Sequence, residues 1–354
     1  MDRLIDPLIK ALKKQKSNTD IFDLLFENKC YYLLNNMRLS NEQKKKLDMI
    51  LAINELNYKV KFLSIAKFLK EIENIDYAIV KGAVLSRRIY GDIRMRNSLD
   101  IDMLVSIRNM KLIKEKLFDN GFVQGYLKGN TIVEYEKEEK VFYVSNTHQL
   151  APFIKETGNK FCPFVSIDVN FSVFWGEEKK YEIDVFFNDL TKINIAGYQI
   201  KSLSPEMELI HLCLHHYKDL NSLFQIYKGK INISIFSDIF FYVVSNNFDL
   251  NKLKKYSESL KVSEYLYYCF FFCSLVFCHD RLNEILKFFD FAKNDDMINS
   301  YGLTHDEKSK WKIDFYGRLF DEQFCSKFIS ELSSRQLDKV KKNERFLANG
   351  VDLK

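Results

Sequence analysis

Asp100 and Asp102 are two carboxylates separated by one apolar residue, in the run Leu99-Asp100-Ile101-Asp102-Met103-Leu104-Val105. Residues two apart on a strand project from one face, so the pair would stand side by side, roughly 6.5 to 7 Å apart at Cα. Two hard carboxylates in that arrangement suit Mg²⁺, which keeps several waters and accepts substrate phosphates as its other ligands. Upstream, Tyr77 to Val80 reads as a short apolar strand, and Lys81-Gly82-Ala83 as a turn that opens a helix. A glycine at such a junction leaves free N–H groups and the positive end of a helix dipole, a natural seat for a phosphate. Arg94, Arg96 and Ser98 lie in the basic loop between that helix and the carboxylates, where guanidinium forks can meet phosphate oxygens two at a time. Lys81 is either a phosphate ligand or a residue that locks the turn. A D-x-D pair alone is common, and the combination with the Lys-Gly turn and the arginine loop is what points to a site.

Taken together, Lys81-Gly82-Ala83, Tyr90-Gly91-Asp92, Arg96, Ser98 and Asp100 to Val105 resemble the signature of the nucleotidyltransferase superfamily with the DNA polymerase β-like fold. More narrowly they resemble a bacterial branch of uncharacterised nucleotidyltransferases. The resemblance implies that the glycine turn, with Lys81, Gly82, Ala83, Arg96 and Ser98, binds a nucleoside triphosphate; Arg94 is a further candidate, with a solvated or structural role favoured for it and for Arg87. It implies that Asp100 and Asp102 hold two divalent ions, and that a third carboxylate on a later strand completes the site. One departure is that the usual Gly-Ser is Gly82-Ala83 here, so a serine hydroxyl contact to phosphate is missing.

Two residues compete for the third carboxylate. In Val165-Ser166-Ile167-Asp168-Val169-Asn170-Phe171, Ile167, Val169 and Phe171 face one way and Asp168 and Asn170 the other. Asp184, in Tyr181-Glu182-Ile183-Asp184-Val185, sits on a shorter alternation and is the rival. The longer, more regular strand favours Asp168. The chemistry implied is two-metal transfer of NMP from an NTP, ATP by default, with Mg²⁺, or Mn²⁺ in its place, bound by Asp100, Asp102 and Asp168. Asp168 would also be placed to accept the acceptor's proton. The expected acceptor is a hydroxyl or phosphate of a small molecule, peptide or protein. A tRNA 3′ end is an alternative, and so is a catalytically silent nucleotide-binding module. Acids interrupt most basic runs, so nucleic acid is not favoured as a partner.

These residues need a scaffold, and the composition supports one. The chain has 354 residues, 47% of them apolar, enough for two or three packed units. A net charge of +5, from 53 basic and 48 acidic residues, excludes a strongly polycationic surface. Seven cysteines without a C-x-x-C pair, and no signal-peptide pattern, lead to an expectation of a reducing cytoplasm. The most hydrophobic run, Tyr265 to Cys278, is shorter than the roughly 20 residues that span a bilayer, so it reads as a buried helix and no membrane is expected.

The fold expected is α+β, a mixed-sheet catalytic core flanked by helices. Residues 1–75 read as a helical segment packed on the core, 76–202 as the core, and 203–354 as a helical lobe. Leu4, Ile5, Leu8, Ile9 and Leu12 recur at helical spacing, Ile21 to Phe26 forms a second element, and Ser40 with Gln43 makes a capping box before a long periodic segment. Strands are expected at Tyr77–Val80, Ile101–Val105, Phe122–Leu127, Thr131–Glu136, Val141–Ser145, Val165–Phe174 and Ile193–Ile200, with helices at Leu85–Tyr90 and Met110–Asn120. Ser204-Pro205-Glu206 opens the helical lobe, and 339–354 reads as a loosely held charged end. Glu208, His211 and His215 share a helix face there, but no second cluster completes a zinc site, and packing is the expected role. Cys269, Cys273 and Cys278 are expected to act as small hydrophobes in the apolar helix.

Overall fold

Three short helices lead the chain: α1 (Asp6–Lys14), α2 (Ile21–Glu27) and α3 (Tyr31–Asn35). The computed structural model describes residues 4–14, 20–173, 183–229, 231–245 and 248–347. The long helix α4 (Asn41–Glu71) follows, and it starts at the capping box: the Ser40 N–H donates to Gln43 Oε1 at 2.9 Å and the Gln43 N–H to Ser40 Oγ at 3.2 Å. Then come β1 (Tyr77–Val80), α5 (Gly82–Tyr90), β2 (Asp100–Val105), α6 (Met110–Asp119), β3 (Val123–Lys128), β4 (Thr131–Glu134), α7 (Lys137–Asn146), β5 (Phe153–Glu156) and β6 (Phe164–Asn170). These strands form one sheet in the order β1-β2-β6-β5-β3-β4, in which β2 and β6 run parallel and the other neighbours antiparallel. A hairpin of β7 (Thr191–Ile195) and β8 (Tyr198–Ser202) closes this part of the chain.

Period-two alternation decides the two faces of the sheet. Ile79, Ile101, Met103, Val105, Val165, Ile167 and Val169 are buried together with Phe62, Ile65 and Phe68 of α4, Ile113 and Leu117 of α6, and Ile195 and Ile200 of the hairpin. The helices and the hairpin therefore cover one face. Asp100, Asp102 and Asp168 occupy the alternate positions and belong to the other face.

The chain divides into two compact units. One takes Asp48–Trp175, Lys179–Ser204 and Arg345–Lys354, and contains the sheet; the other takes Met1–Leu47, Gly176–Glu178 and Pro205–Glu344. The boundary thus falls inside α4. The second unit is mostly helical, with α8 (Pro205–Asn221), α9 (Leu223–Lys228), α10 (Ser234–Ser245), α11 (Leu250–Ser259), α12 (Ser263–Val276) and α13 (Asp280–Phe288), and α12 packs against α1, α8 and α10. Ser300–Tyr301 and Ser309–Lys310 add a small antiparallel ribbon to it. Among the described residues no helix is long and apolar enough to cross a membrane.

Several local expectations give way to stronger local chemistry. Val141–Ser145 is helical, within α7, because the N-terminal box at Glu136 and Glu139 starts a helix that outweighs the strand preference of Val141, Phe142 and Tyr143. Ile193–Ile200 is a hairpin rather than one strand. Ala196 and Gly197 take left-handed φ values of 51° and 91°, and the Asn194 side chain accepts the Gly197 N–H at 3.2 Å. β5 is a strand the pattern did not reveal, four residues long after Pro152. β6 ends at Asn170; Phe174, Tyr181, Glu182 and the charged end beyond 347 lie outside the described residues. Cys269 and Cys273 are buried in α12, whereas Cys278 falls beyond its end and is exposed.

Phe68 is fully buried where α4 meets the sheet. Phe68→Ala is expected to lower stability by roughly 3–5 kcal/mol, read as a drop in the urea midpoint with an unchanged slope.

Candidate active site

The parallel pairing of β2 with β6 puts Asp102 level with Asp168 and Asp100 level with Ser166. Adjacent strands lie about 4.8 Å apart, so carboxylates from two strands and two rungs converge on one patch of the sheet. Each is held by a different neighbour. The Ser98 hydroxyl lies 2.9 Å from Asp100 Oδ1 and 2.9 Å from the Asp100 carbonyl. Lys81 Nζ donates to Asp102 Oδ1 at 2.8 Å, with both side chains largely shielded from water. Gln149 Nε2 donates to Asp168 Oδ2 at 3.3 Å.

The charges do not balance. Burial first, and then the neighbouring Asp100 and Asp102, push the Asp168 carboxyl well above the usual carboxylate range, against the opposing pull of Lys81 and Gln149. Three carboxylates, with the Lys81 ammonium against Asp102 and the buried Lys61 ammonium interacting with Asp100, make a set that a hard divalent cation such as Mg²⁺ fits.

The turn before α5 is strained. Lys81 has φ 55° and ψ −152°, a region that glycine favours and that costs other residues about 1–3 kcal/mol. Gly82 follows at φ 45°, and a Cβ there would lie 3.4 Å from Ser98 Cβ, so the turn and the loop approach closely. Ala83 packs its methyl into the core cluster, which leaves its N–H as the group it presents at the start of α5.

The arginines divide. Arg94 is paired with Asp92, its Nε 2.9 Å from Asp92 Oδ2 and its terminal nitrogen 2.8 Å from the same oxygen. Burial would raise the Asp92 carboxyl, but the Arg94 hydrogen bonds and the charges of Arg94 and Arg87 outweigh it and leave it below the ordinary range. Arg96 ends the short turn Ile93–Met95 in extended backbone, and its carbonyl accepts the Tyr58 hydroxyl at 2.7 Å. Arg88 reaches the Leu203 carbonyl at 2.9 Å and Thr191 Oγ1 at 3.1 Å, tying α5 to the hairpin. Asp184 is not on a strand: it lies in the turn Ile183–Phe187, where the exposed Arg108 pairs with it at 2.5 Å. Asp168, not Asp184, is therefore the carboxylate in register with Asp102.

Sequence reading missed Gln149 and three residues of α4. Asn54, Tyr58 and Lys61 bond the loop that carries Arg94, Arg96 and Ser98. Asn54 and Lys61 are polar residues seven apart that α4 buries, and their partners lie about forty residues on in the chain, at carbonyls 94 and 98.

In the helical unit, Glu208, His211 and His215 do not converge as a trio. Glu208 Oε2 accepts from the Tyr242 hydroxyl at 3.1 Å. His215, His216 and Asp219 instead bring their ligand atoms within 4.8 Å of one another. His215 Nε2 lies 3.1 Å from one Asp219 oxygen and Lys218 Nζ 2.9 Å from the other, so both oxygens are engaged. Burial would raise the Asp219 carboxyl, but His215 and Lys218 hold it well below the usual range.

Residues 33–278 match the family model described as uncharacterised nucleotidyltransferase. No curated protein is similar to the chain at a significant level. An antigenic nucleotidyltransferase-like protein from Paracoccidioides brasiliensis superposes at 16% identity, over 59% of this chain and 92% of its own, with a TM-score of 0.31. ANT(2")-Ia in complex with adenylyl-2"-tobramycin does so at 13% identity, over 56% of this chain and 94% of its own, with a TM-score of 0.30. Both superpositions are too loose to bear on function, and the family assignment rests on the sequence match.

Because the folded state favours the protonated Asp168 carboxyl, metal-free stability is fullest below the unfolded carboxylate range and falls as pH rises toward the raised folded value. Asp168→Asn removes that loss. The metal-free variant is expected to melt a few degrees above wild type at pH 7, the gap closing as pH falls toward about 4; equal melting at both pH values would contradict the repulsion described here.

Proposed function

The chain belongs to this family of nucleotidyltransferases, and from that membership and the carboxylate register we propose that it moves NMP from an NTP to an acceptor in a Mg²⁺-dependent reaction. The observation that carries the proposal is the level pairing of Asp102 with Asp168, with Asp100 one rung away on the same face. Asp100, Asp102 and Asp168 would hold the metal, two ions in the full site, with Mn²⁺ able to replace Mg²⁺. When bound, the metal would lower the pKa of the acceptor hydroxyl and neutralise the leaving pyrophosphate.

The rest falls to the chain's own groups. The Gly82 and Ala83 N–H groups at the start of α5 face the triphosphate. Lys81, released once Asp102 serves as a ligand, pairs a phosphate oxygen beside them. Arg96 and Ser98 line the same loop, Ser98 keeping one Asp100 oxygen oriented and the other available. Arg94 is engaged by Asp92 and shapes the loop rather than binding phosphate. Asp168, in register with Asp102, would also be the group to take a proton from the acceptor.

ATP is the default donor. The acceptor is a hydroxyl or phosphate on a small molecule, peptide or protein, because basic runs are broken by acids and offer no continuous track for nucleic acid. Five of the seven cysteines are buried and all are unpaired, which suits a reducing cytoplasm. Ala83 in place of the usual serine is the one feature that favours the second reading, a silent nucleotide-binding module.

The test is thermal unfolding of wild type and Asp102→Asn with each of the four NTPs, with Mg²⁺ and with chelator. One NTP is expected to raise the wild-type midpoint only with Mg²⁺, by about 2.7 kcal/mol of stabilisation at a hundred times its dissociation constant, and to leave Asp102→Asn unmoved. An equal shift in the variant, or none in wild type with any NTP, would count against the proposal.

A further inference from the structure

α4 does more than cover the sheet. Its residues Asn54, Tyr58 and Lys61 follow one another at four and three positions, along one stripe of the helix. Each donates to a backbone carbonyl of the same loop: Asn54 Nδ2 to Arg94 O at 2.8 Å, the Tyr58 hydroxyl to Arg96 O at 2.7 Å, and Lys61 Nζ to Ser98 O at 2.6 Å. Every second carbonyl from 94 to 98 is taken. All three side chains are at least 96% buried, at 1%, 3% and 4% exposure. The last of them reaches the site itself, because Ser98, held by Lys61 through its carbonyl, presents its hydroxyl to Asp100 Oδ1 at 2.9 Å.

A lysine is an expensive way to satisfy one carbonyl. Burial pulls the Lys61 ammonium below its usual pKa, and the charge of Asp100 works against that. A methionine of similar length would pack without that desolvation cost.

We propose that Lys61, with Tyr58 and Asn54, is a positioning residue for the carboxylate site: α4 fixes the 94–98 loop, and through Ser98 the orientation of Asp100 toward its divalent cation. The inference rests on the reading of Asp100, Asp102 and Asp168 as the cation ligands. Lys61 touches no reacting atom; it acts through Ser98. Cation affinity is thus tied to the register of a helix against a loop, not to the carboxylates alone.

The experiment is titration of the full chain with Mn²⁺ alone, followed by electron paramagnetic resonance, on wild type, Lys61→Met, Tyr58→Phe, Ile65→Val and Asp102→Asn. Wild type should bind Mn²⁺ and Asp102→Asn should lose it. Lys61→Met should weaken binding roughly tenfold while its melting temperature holds or rises, as groups that orient metal ligands typically change affinity by 10–100-fold. Tyr58→Phe removes only a hydroxyl and should weaken binding in the same direction, so it serves where Lys61→Met does not fold. Ile65→Val loosens the buried face of the same helix, lowers stability, and should leave Mn²⁺ affinity at the wild-type value. Wild-type affinity in both Lys61→Met and Tyr58→Phe, or loss of affinity in Ile65→Val in proportion to stability, overturns the positioning role while the carboxylate site stands. Failure of wild type to bind Mn²⁺ through Asp102 overturns both.

Discussion

Everything in the sheet-bearing unit is arranged around a repulsion. Asp100, Asp102 and Asp168 converge because β2 and β6 are paired in parallel at a register that leaves no freedom: a slip of β6 by one residue would send Asp168 into the apolar face and Ile167 and Val169 out of it. Keeping like charges together costs stability, and the cost is visible at Asp168, whose carboxyl is driven toward its neutral form. Lys81, Gln149 and Ser98 each engage one of the three. What these neighbours leave uncompensated is what a cation with phosphate ligands would supply. The strained backbone of Lys81 belongs to the same economy, since it sets the ammonium against Asp102 where α5 begins.

The sheet divides the labour between its faces. One face is a dry core that α4, α6 and the β7–β8 hairpin close. The other is where chemistry is proposed. Because β1 and β6 flank β2, the Lys-Gly turn after β1 and the carboxylate on β6 arrive on either side of Asp102, although 66 positions separate Asp102 from Asp168 in the chain. The helix α4 then holds the remaining loop from behind.

The parts of this arrangement governed by short-range rules were legible in the sequence. Tyr77–Val80 is a strand as read, the Ser40–Gln43 box starts α4, and the alternation around Asp168 points its carboxylate away from the core. The α+β architecture followed from such segments. What was hidden depended on contacts between distant segments or on competition between weak signals. The buried Asn54 and Lys61 were read as part of a packing helix because their partners are carbonyls of residues 94 and 98, which no periodicity discloses. Arg94 is paired with the carboxylate two residues away, in keeping with the structural role favoured for it in the sequence. Val141–Ser145 looked like a strand by composition, and the box at Glu136 and Glu139 decided otherwise. Glu208, His211 and His215 share a helix face, yet Tyr242 takes the first and Asp219 the last.

The most direct test of the central claim is anomalous diffraction from crystals grown with Mn²⁺ and a non-hydrolysable NTP. The account predicts anomalous peaks among Asp100, Asp102 and Asp168, with the triphosphate running toward the Gly82 turn. Peaks only at His215, His216 and Asp219, or a triphosphate bound with no metal at the three aspartates, would contradict it.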